Sequence, residues 1–313
     1  MERTVVLVEN LVKRYKELIA LDHFHLEIKE GEVLGLLGPN GSGKTTAINC
    51  ILALLEYDKG TIEVFGKPMA PHSYDTKRDI GLVPQNVAVF DELTVYQNID
   101  YFCGLYIKDR AERKELIEQA IEFVGLQDYK KFLPKKLSGG LLRRLNIACG
   151  IAHKPKLIIM DEPTVAVDPQ SRNNILEGIM QLNKQGATVI YTSHYMEEVE
   201  QICSRIVIMD KGKNLAMGSK EELKMMIKTG ETIRIEALDL DLEIIEEIKR
   251  LKHVFQVSYK DNRLTVQCSG GRHNVVRILQ LMQQKNVSVG RVFSELPTLN
   301  DVFLEITGTE LRD

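Results

Sequence analysis

The chain has 313 residues, with 41 Lys and Arg against 44 Asp and Glu and a 44% hydrophobic content. That length predicts one sizeable domain and a minor one, and the ordinary balance of apolar and charged residues excludes a disordered chain. A net charge of −3 removes the basic excess that phosphate-backbone binding requires, so nucleic acid is not an expected partner.

Cysteines at positions 50, 103, 149, 203 and 268 have no C-x-x-C spacing, so they define neither a zinc site nor a disulfide framework, and a reducing compartment fits them. Met1-Glu2-Arg3-Thr4 leads straight into a strand-like run rather than a secretory leader, which predicts a cytosolic chain. Apolar stretches such as 47–55 are broken well short of the ~20 residues a membrane helix needs, so no transmembrane segment of its own is expected.

In chain order, residues 4–8 read as a strand, and Phe24, Leu26 and Ile28 alternate before a Glu30-Gly31 turn, which predicts an antiparallel start. Residues 33–37 form a short, wholly apolar run of the buried parallel kind. It ends in Gly38, Pro39, Asn40, Gly41, Ser42, Gly43, Lys44 and Thr45, after which Ala47, Ile48, Ile51, Leu52 and Leu55 recur at helical spacing. This is the G-x-x-x-x-G-K-S/T phosphate loop in its required strand-to-helix context. Its glycines let backbone N–H groups converge on phosphate oxygens, Lys44 adds positive charge, Thr45 offers a hydroxyl to Mg2+, and Thr46 reaches the α-phosphate.

Strands are predicted over 80–83, 157–160, 188–192 and 206–209 with helices between them, the order of a parallel α/β sheet. A helical, charge-laced insertion fills 92–132, including a helix from about Asp109 with Leu116, Ala120, Phe123 and Val124 on one face. The 157–160 strand delivers Asp161 and Glu162 at its C-terminal end, where α/β sheets bind ligands. Asp161 is the candidate to hold Mg2+, and Glu162 is the candidate to orient and deprotonate an attacking water.

These parts alone fit a GTPase, a kinase or a motor as well. Guanine readers use Asn-Lys-x-Asp, however, and Asn183-Lys184 continues as Gln185-Gly186. Leu137-Ser138-Gly139-Gly140 before a helix narrows the choice. With it, the chain resembles the ATP-binding subunit of an ABC transporter from Val5 to about Lys224, with the phosphate loop, Gln85, Leu137 to Gly140, Asp161-Glu162, Asp168 and His194 in the family's order.

That resemblance implies a P-loop NTPase of the ABC-ATPase fold over 1–228: a mixed sheet core with an antiparallel β subdomain and a helical subdomain at about 86–150. It implies that Tyr15 stacks on adenine, Gln85 senses Mg2+ and the water, and His194 contacts the γ-phosphate. Ser138, Gly139 and Gly140 would grip the γ-phosphate of ATP bound to a second ATPase subunit, and Asp168 would join the two sites. It further implies a separate membrane-spanning permease, reached through the 74–132 region, and a peripheral place on the cytoplasmic face of the membrane. Leu141 and Leu142 depart from the family's usual polar residues, which predicts a retuned ATP affinity across the dimer. Ala166, where many relatives have Gly, is a smaller departure.

From 229 to 313 the pattern becomes β-α-β-β-α-β: strand 232–237, helix 242–251, strands 255–259 and 264–268, helix 275–284 and strand 287–293, with a break at Ser269-Gly270-Gly271. This order predicts a small α+β ferredoxin-like accessory domain, followed by a helical stripe of Leu299, Val302, Phe303 and Ile306. The accessory domain, Tyr191 to Glu200 and the tail resemble the drug-exporter branch of these subunits. A soluble ABC-type ATPase of translation or DNA repair is the alternative, although such proteins usually have two cassettes or a long coiled-coil insertion.

Overall fold

The computed structural model describes residues 3–165, 167–228, 230–238, 240–269 and 274–307, which fall into two compact units, one up to Met217 and one from Gly218. Ala166, Gly270 and Gly271 lie outside the described residues.

The first unit opens with β1 (Thr4–Tyr15) and β2 (Leu18–Lys29), then β3 (Val33–Leu37) and α1 (Lys44–Ile51). The hairpin strand β4 (Lys59–Val64), the short β5 (Lys67–Pro68), α2 (Tyr74–Arg78) and β6 (Ile80–Val83) follow. Next come α3 (Val95–Gly104), α4 (Arg110–Phe123) and α5 (Gly139–Ile151), and then the alternation β7 (Leu157–Asp161), α6 (Pro169–Lys184), β8 (Thr188–Ser193), α7 (Met196–Ile202), β9 (Arg205–Asp210) and β10 (Lys213–Gly218).

One sheet has the order β2-β1-β4-β5 with antiparallel pairing, and the central sheet has the order β10-β9-β3-β8-β7-β6. In the central sheet β3 pairs in parallel with both β8 and β9, and β7 with both β6 and β8. Every residue of β3, β7 and β8 is buried, as expected of parallel strands covered on both faces. One apolar cluster joins Val6, Phe24 and Ile28 of the antiparallel sheet, Ile48 and Ile51 of α1, and Leu34 and Ile159 of the central sheet. Helix α1 is thereby held by its apolar face, which leaves its N-terminus at the C-terminal ends of β3 and β7.

Strand β1 runs further than the alternation from 4 to 8 predicts. Its pairing with β2 is irregular between Val8 and Leu11 and again between Leu11 and Lys13, so Leu11 and Val12 are both buried and the simple period of two is lost. The expected helix near Asp109 is α4, with the Asp109 side chain accepting from the amides of Ala111 and Glu112 at 3.0 and 2.8 Å. Helices α3, α4 and α5 pack on one another as the helical subdomain.

The second unit contains α8 (Lys220–Met226), β11 (Glu231–Ala237), α9 (Leu242–Lys249), β12 (Val254–Lys260), β13 (Arg263–Cys268), α10 (Asn274–Gln284), β14 (Val289–Glu295) and α11 (Leu299–Thr307). Its strands pair antiparallel in the order β12-β13-β11-β14, the ferredoxin-like arrangement. Ile233, Ile235, Leu264 and Val266 of the sheet meet Ile245, Ile248, Ile278 and Met282 of the two helices in a single core. The last strand begins at Val289 rather than 287, because the Val287 amide closes the end of α10 on Met282 O at 3.0 Å. Helix α8 packs with α11 in this unit.

Candidate active site

The loop from Gly38 to Gly43 is wedged between neighbouring strands. Gly43 has φ 107°, and a Cβ there would lie 2.7 Å from Ala20 O in β2. At Gly38 a Cβ would lie 2.2 Å from Met209 O in β9. Neither position admits a larger residue, and the bare backbone amides can face a ligand. Lys44 is 5% exposed; its Nζ donates to Gly38 O at 2.7 Å and Pro39 O at 3.2 Å and stands 3.4 Å from Glu162 Oε1. Burial pulls its pKa below the ordinary lysine value, opposed by the charges of Glu162 and Asp161.

Ser42 Oγ is buried without a hydrogen-bond partner among the described residues. An uncapped helix start, an orphan hydroxyl and a buried ammonium suit a phosphate chain.

Thr45 Oγ1 donates to Asp161 Oδ2 at 2.8 Å, and Thr192 Oγ1 donates to Asp161 Oδ1 at 2.6 Å. Hydroxyl and carboxylate oxygens are the ligands that Mg2+ prefers beside phosphates, so Thr45 and Asp161 fit that ion.

Glu162, the next residue, has φ 47°. A left-handed conformation at a residue other than glycine costs of the order of 1–3 kcal/mol and persists only where neighbours enforce it. Here the Glu162 amide donates to Thr192 Oγ1 at 2.9 Å and Thr192 O at 3.2 Å, while its carbonyl accepts from Arg143 Nη2 at 2.7 Å. Its carboxylate accepts from Gln85 Nε2 at 3.0 Å, with His194 Nδ1 at 3.5 Å. The arrangement holds a buried carboxylate beside Lys44 of the phosphate loop, with an amide and an imidazole next to it.

A second polar cluster lies at the N-terminus of α5. Ser138 caps the helix by accepting from Leu141 N at 3.3 Å, and Ser138 and Gly139 are exposed. Gly140 is buried, with the space for a Cβ closed by Ser171 Oγ at 2.9 Å and Asp168 Oδ2 at 3.2 Å. Asp168 caps α6 through the Ser171 amide at 2.9 Å. Hydrogen bonds from Ser171 hold its carboxyl below the usual range. Tyr15 ends β1, 46% exposed, with Lys13 Nζ 5.1 Å from its ring centroid.

Residues 21–165 match the family described as ABC transporter, and residues 218–307 match the family described as ATP-binding protein DrrA1-3-like, C-terminal domain. The linearmycin resistance ATP-binding protein LnrL of Bacillus subtilis is 38% identical over 307 residues, covering 97% of this chain and 99% of that protein. The chain belongs to the ATP-binding subunits of ABC transporters.

It is also similar to the daunorubicin resistance ATP-binding protein DrrA3 of Streptomyces coeruleorubidus, at 31% identity over 100% of this chain and 98% of that protein. Among solved structures, the dimeric post-hydrolysis state of the ATP-binding cassette MJ0796 bound to ADP and Pi superposes with a TM-score of 0.64 at 28% identity. It covers 68% of this chain and 98% of that one. The relatives therefore fit the transport reading and not the alternative of a soluble role in translation or DNA repair. No helix among the described residues is long and apolar enough to cross a membrane.

In this ABC ATPase the structure brings Lys44, Thr45, Asp161, Glu162, Gln85 and His194 into one connected cluster. Gly140 and Asp168 meet in the second, beside the cap residue Ser138 of the same helix. Three residues of these surroundings carry no sequence motif. Thr192 bonds both acidic neighbours of β7. Arg143 is 4% exposed and reaches Glu162. Glu198, 2% exposed, accepts through Oε2 from Tyr191 at 2.7 Å, Ser193 at 2.8 Å and Thr164 at 2.9 Å, and so ties the segment after Glu162 to the loop of His194. Burial, then Glu198, pushes the Tyr191 hydroxyl well above its ordinary pKa. The available signal was a polar residue inside an otherwise apolar periodic stretch, as at Arg143 and Asn146 in α5.

Proposed function

We propose that this ABC ATPase closes as a dimer on two ATP molecules and powers a separate membrane-spanning permease that exports a drug-like or lipophilic compound. The full-length similarity to LnrL, second unit included, is the observation that carries this reading. Its place is the cytoplasmic face of the membrane, held there by the permease. An apolar groove of about 300 Å3 beside the Gln85 loop, lined by Leu54, Leu82, Phe102, Leu105 and Tyr106, supports docking of an apolar permease segment within the 74–132 region.

In this reading Tyr15 stacks on adenine, and the amides and side chains from Gly38 through Pro39, Asn40, Gly41, Ser42 and Gly43 to Thr46 cradle the phosphates together with Lys44. Thr45, Asp161 and Gln85 hold Mg2+, which when bound offsets phosphate charge. Glu162 takes a proton from water as the water oxygen bonds to the γ-phosphorus and the bond to ADP breaks. General-base catalysis of this kind contributes roughly 10²–10⁴-fold. Lys44 leaves Glu162 for the phosphates on binding, which frees the carboxylate for that role, and His194 contacts the γ-phosphate.

The second cluster acts on the opposite subunit: Ser138, Gly139 and Gly140 receive its γ-phosphate at the N-terminus of α5, and Asp168 meets its site. ATP touches both subunits only in the closed state and so favours it; loss of the γ-phosphate removes that preference.

Purification of the tagged chain from membranes, with identification of what accompanies it, tests the transport assignment. An integral membrane protein is the expected companion, and ribosomes or DNA in its place would overturn the reading.

A further inference from the structure

Arg143 lies in the second turn of α5, the helix whose N-terminus presents Ser138, and its guanidinium is buried. Its hydrogen bonds run to backbone carbonyls of the other cluster: Nη1 to Pro84 O at 3.1 Å and Gln85 O at 2.7 Å, and Nη2 to Glu162 O at 2.7 Å. Asn146, one turn further on the same face, donates to Pro84 O at 3.2 Å and accepts from Ala88 N at 3.0 Å. One helix thus fixes both the loop that carries Gln85 and the left-handed peptide of Glu162. A planar guanidinium can span two segments in this way, whereas an ammonium cannot reproduce the fork.

Building on the shared-site reading above, we propose that Arg143 is a positioning residue that makes hydrolysis in one site depend on the seating of its own α5 on the partner's nucleotide. Ser138 at the head of the helix senses the opposite site, and Arg143 on its flank holds Gln85 and Glu162 of its own chain. The two sites are then coupled through one rigid element that both contact, as a coupling between distinct sites requires.

Mixed dimers of the full chain, tagged differently and purified through both tags, test this. Glu162→Gln on the second protomer silences the site that uses that carboxylate, while ATP bound there still seats the first protomer's α5 through Ser138. The remaining site then uses the first protomer's Gln85 and Glu162 with the second protomer's Ser138. Arg143→Gln placed on the first protomer is expected to lower the residual kcat more than tenfold, with KM changed less than threefold. It is also expected to lower kcat at least tenfold more than the same change on the second protomer. Equal losses from both placements, or the reverse order, would overturn the proposal by assigning Arg143 to the general packing of α5.

Arg143→Lys, which keeps the charge but offers a single donor nitrogen in place of the fork, is expected to show the same order with a smaller loss, and serves if Arg143→Gln does not fold. If the Ser138→Arg homodimer hydrolyses ATP like the unmodified protein, the shared-site reading itself fails, a result separable from failure of Arg143 alone.

Discussion

The two polar clusters of the cassette are built in opposite ways. Around Glu162 nearly every polar group is spoken for inside the chain: Thr192 bonds Asp161 and the Glu162 amide, Gln85 the carboxylate, and Arg143 the carbonyl. Around Ser138 the side chains of Ser138 and Asp168 are exposed, and among the described residues their hydrogen bonds are helix caps, Ser138 to Leu141 and Asp168 to Ser171. In the proposed function the closed cluster holds a strained peptide in place for chemistry, while the open one presents groups to a second copy. Substitutions in the first should therefore cost both turnover and substantial stability, and those in the second turnover and association with at most the small stability of a helix cap.

The largest effect is expected at the centre of the closed cluster. Glu162→Gln should lower steady-state ATP hydrolysis by at least ~100-fold, as loss of a general base does, and Lys44→Ala should abolish binding of ATP, measured by equilibrium titration. Thr192→Val should destabilise the protein by about 1–3 kcal/mol in denaturant unfolding, because it removes one hydrogen-bond partner each from the buried Asp161 carboxylate and the buried Glu162 amide. Ser138→Ala loses a single exposed cap and should cost only ~1 kcal/mol. Equal losses of stability at the two positions would break the contrast between the clusters.

A smaller effect is expected at Leu141, half-buried in the first turn of the open cluster. In the shared-site reading Leu141→Gln adds a polar group toward the opposite nucleotide and should tighten ATP-dependent association by the ~0.5–1.5 kcal/mol of one hydrogen bond, a few-fold in affinity.

The smallest effect lies outside both clusters, at His153 in the wall of the apolar groove. Its ring stacks on Tyr106 at 4.2 Å, its Nε2 lies 3.3 Å from Ile80 O, and its buried Nδ1 has no hydrogen-bond partner among the described residues. Burial lowers its pKa from 6.5, with the Ile80 carbonyl and Asp79 opposing. The folded-state value is the depressed one, so the unfolded chain takes up the proton first. Stability is complete above about pH 6.5 and declines as pH falls toward the folded value, by at most ~1.4 kcal/mol per pH unit. Unfolding curves between pH 7.5 and 5.5 should show this decline weakened in His153→Gln.

The phosphate loop, the wholly buried strands and the order of the accessory domain were legible because each is a local pattern: glycines at fixed offsets, apolar runs of five or six, alternation closed by turns. The far half of β1 was not, since two irregularities put Leu11 and Val12 on the inside together. Candidate residues could be named one by one from their motifs, but what holds them could not. Arg143 and Thr192 act on backbone carbonyls and amides distant in sequence, and any residue supplies those atoms, so no spacing in the chain announces the partnership. Glu198 was hidden similarly: its three donors are hydroxyls, two from β8 and one from the segment after β7.

In the proposed dimer the open cluster completes the closed cluster of a second copy. Sedimentation velocity of the purified Glu162→Gln protein with ATP and Mg2+ tests it most directly. A nucleotide-dependent shift from monomer to dimer, abolished by Ser138→Arg, is the predicted result; a chain that binds ATP yet stays monomeric would contradict it.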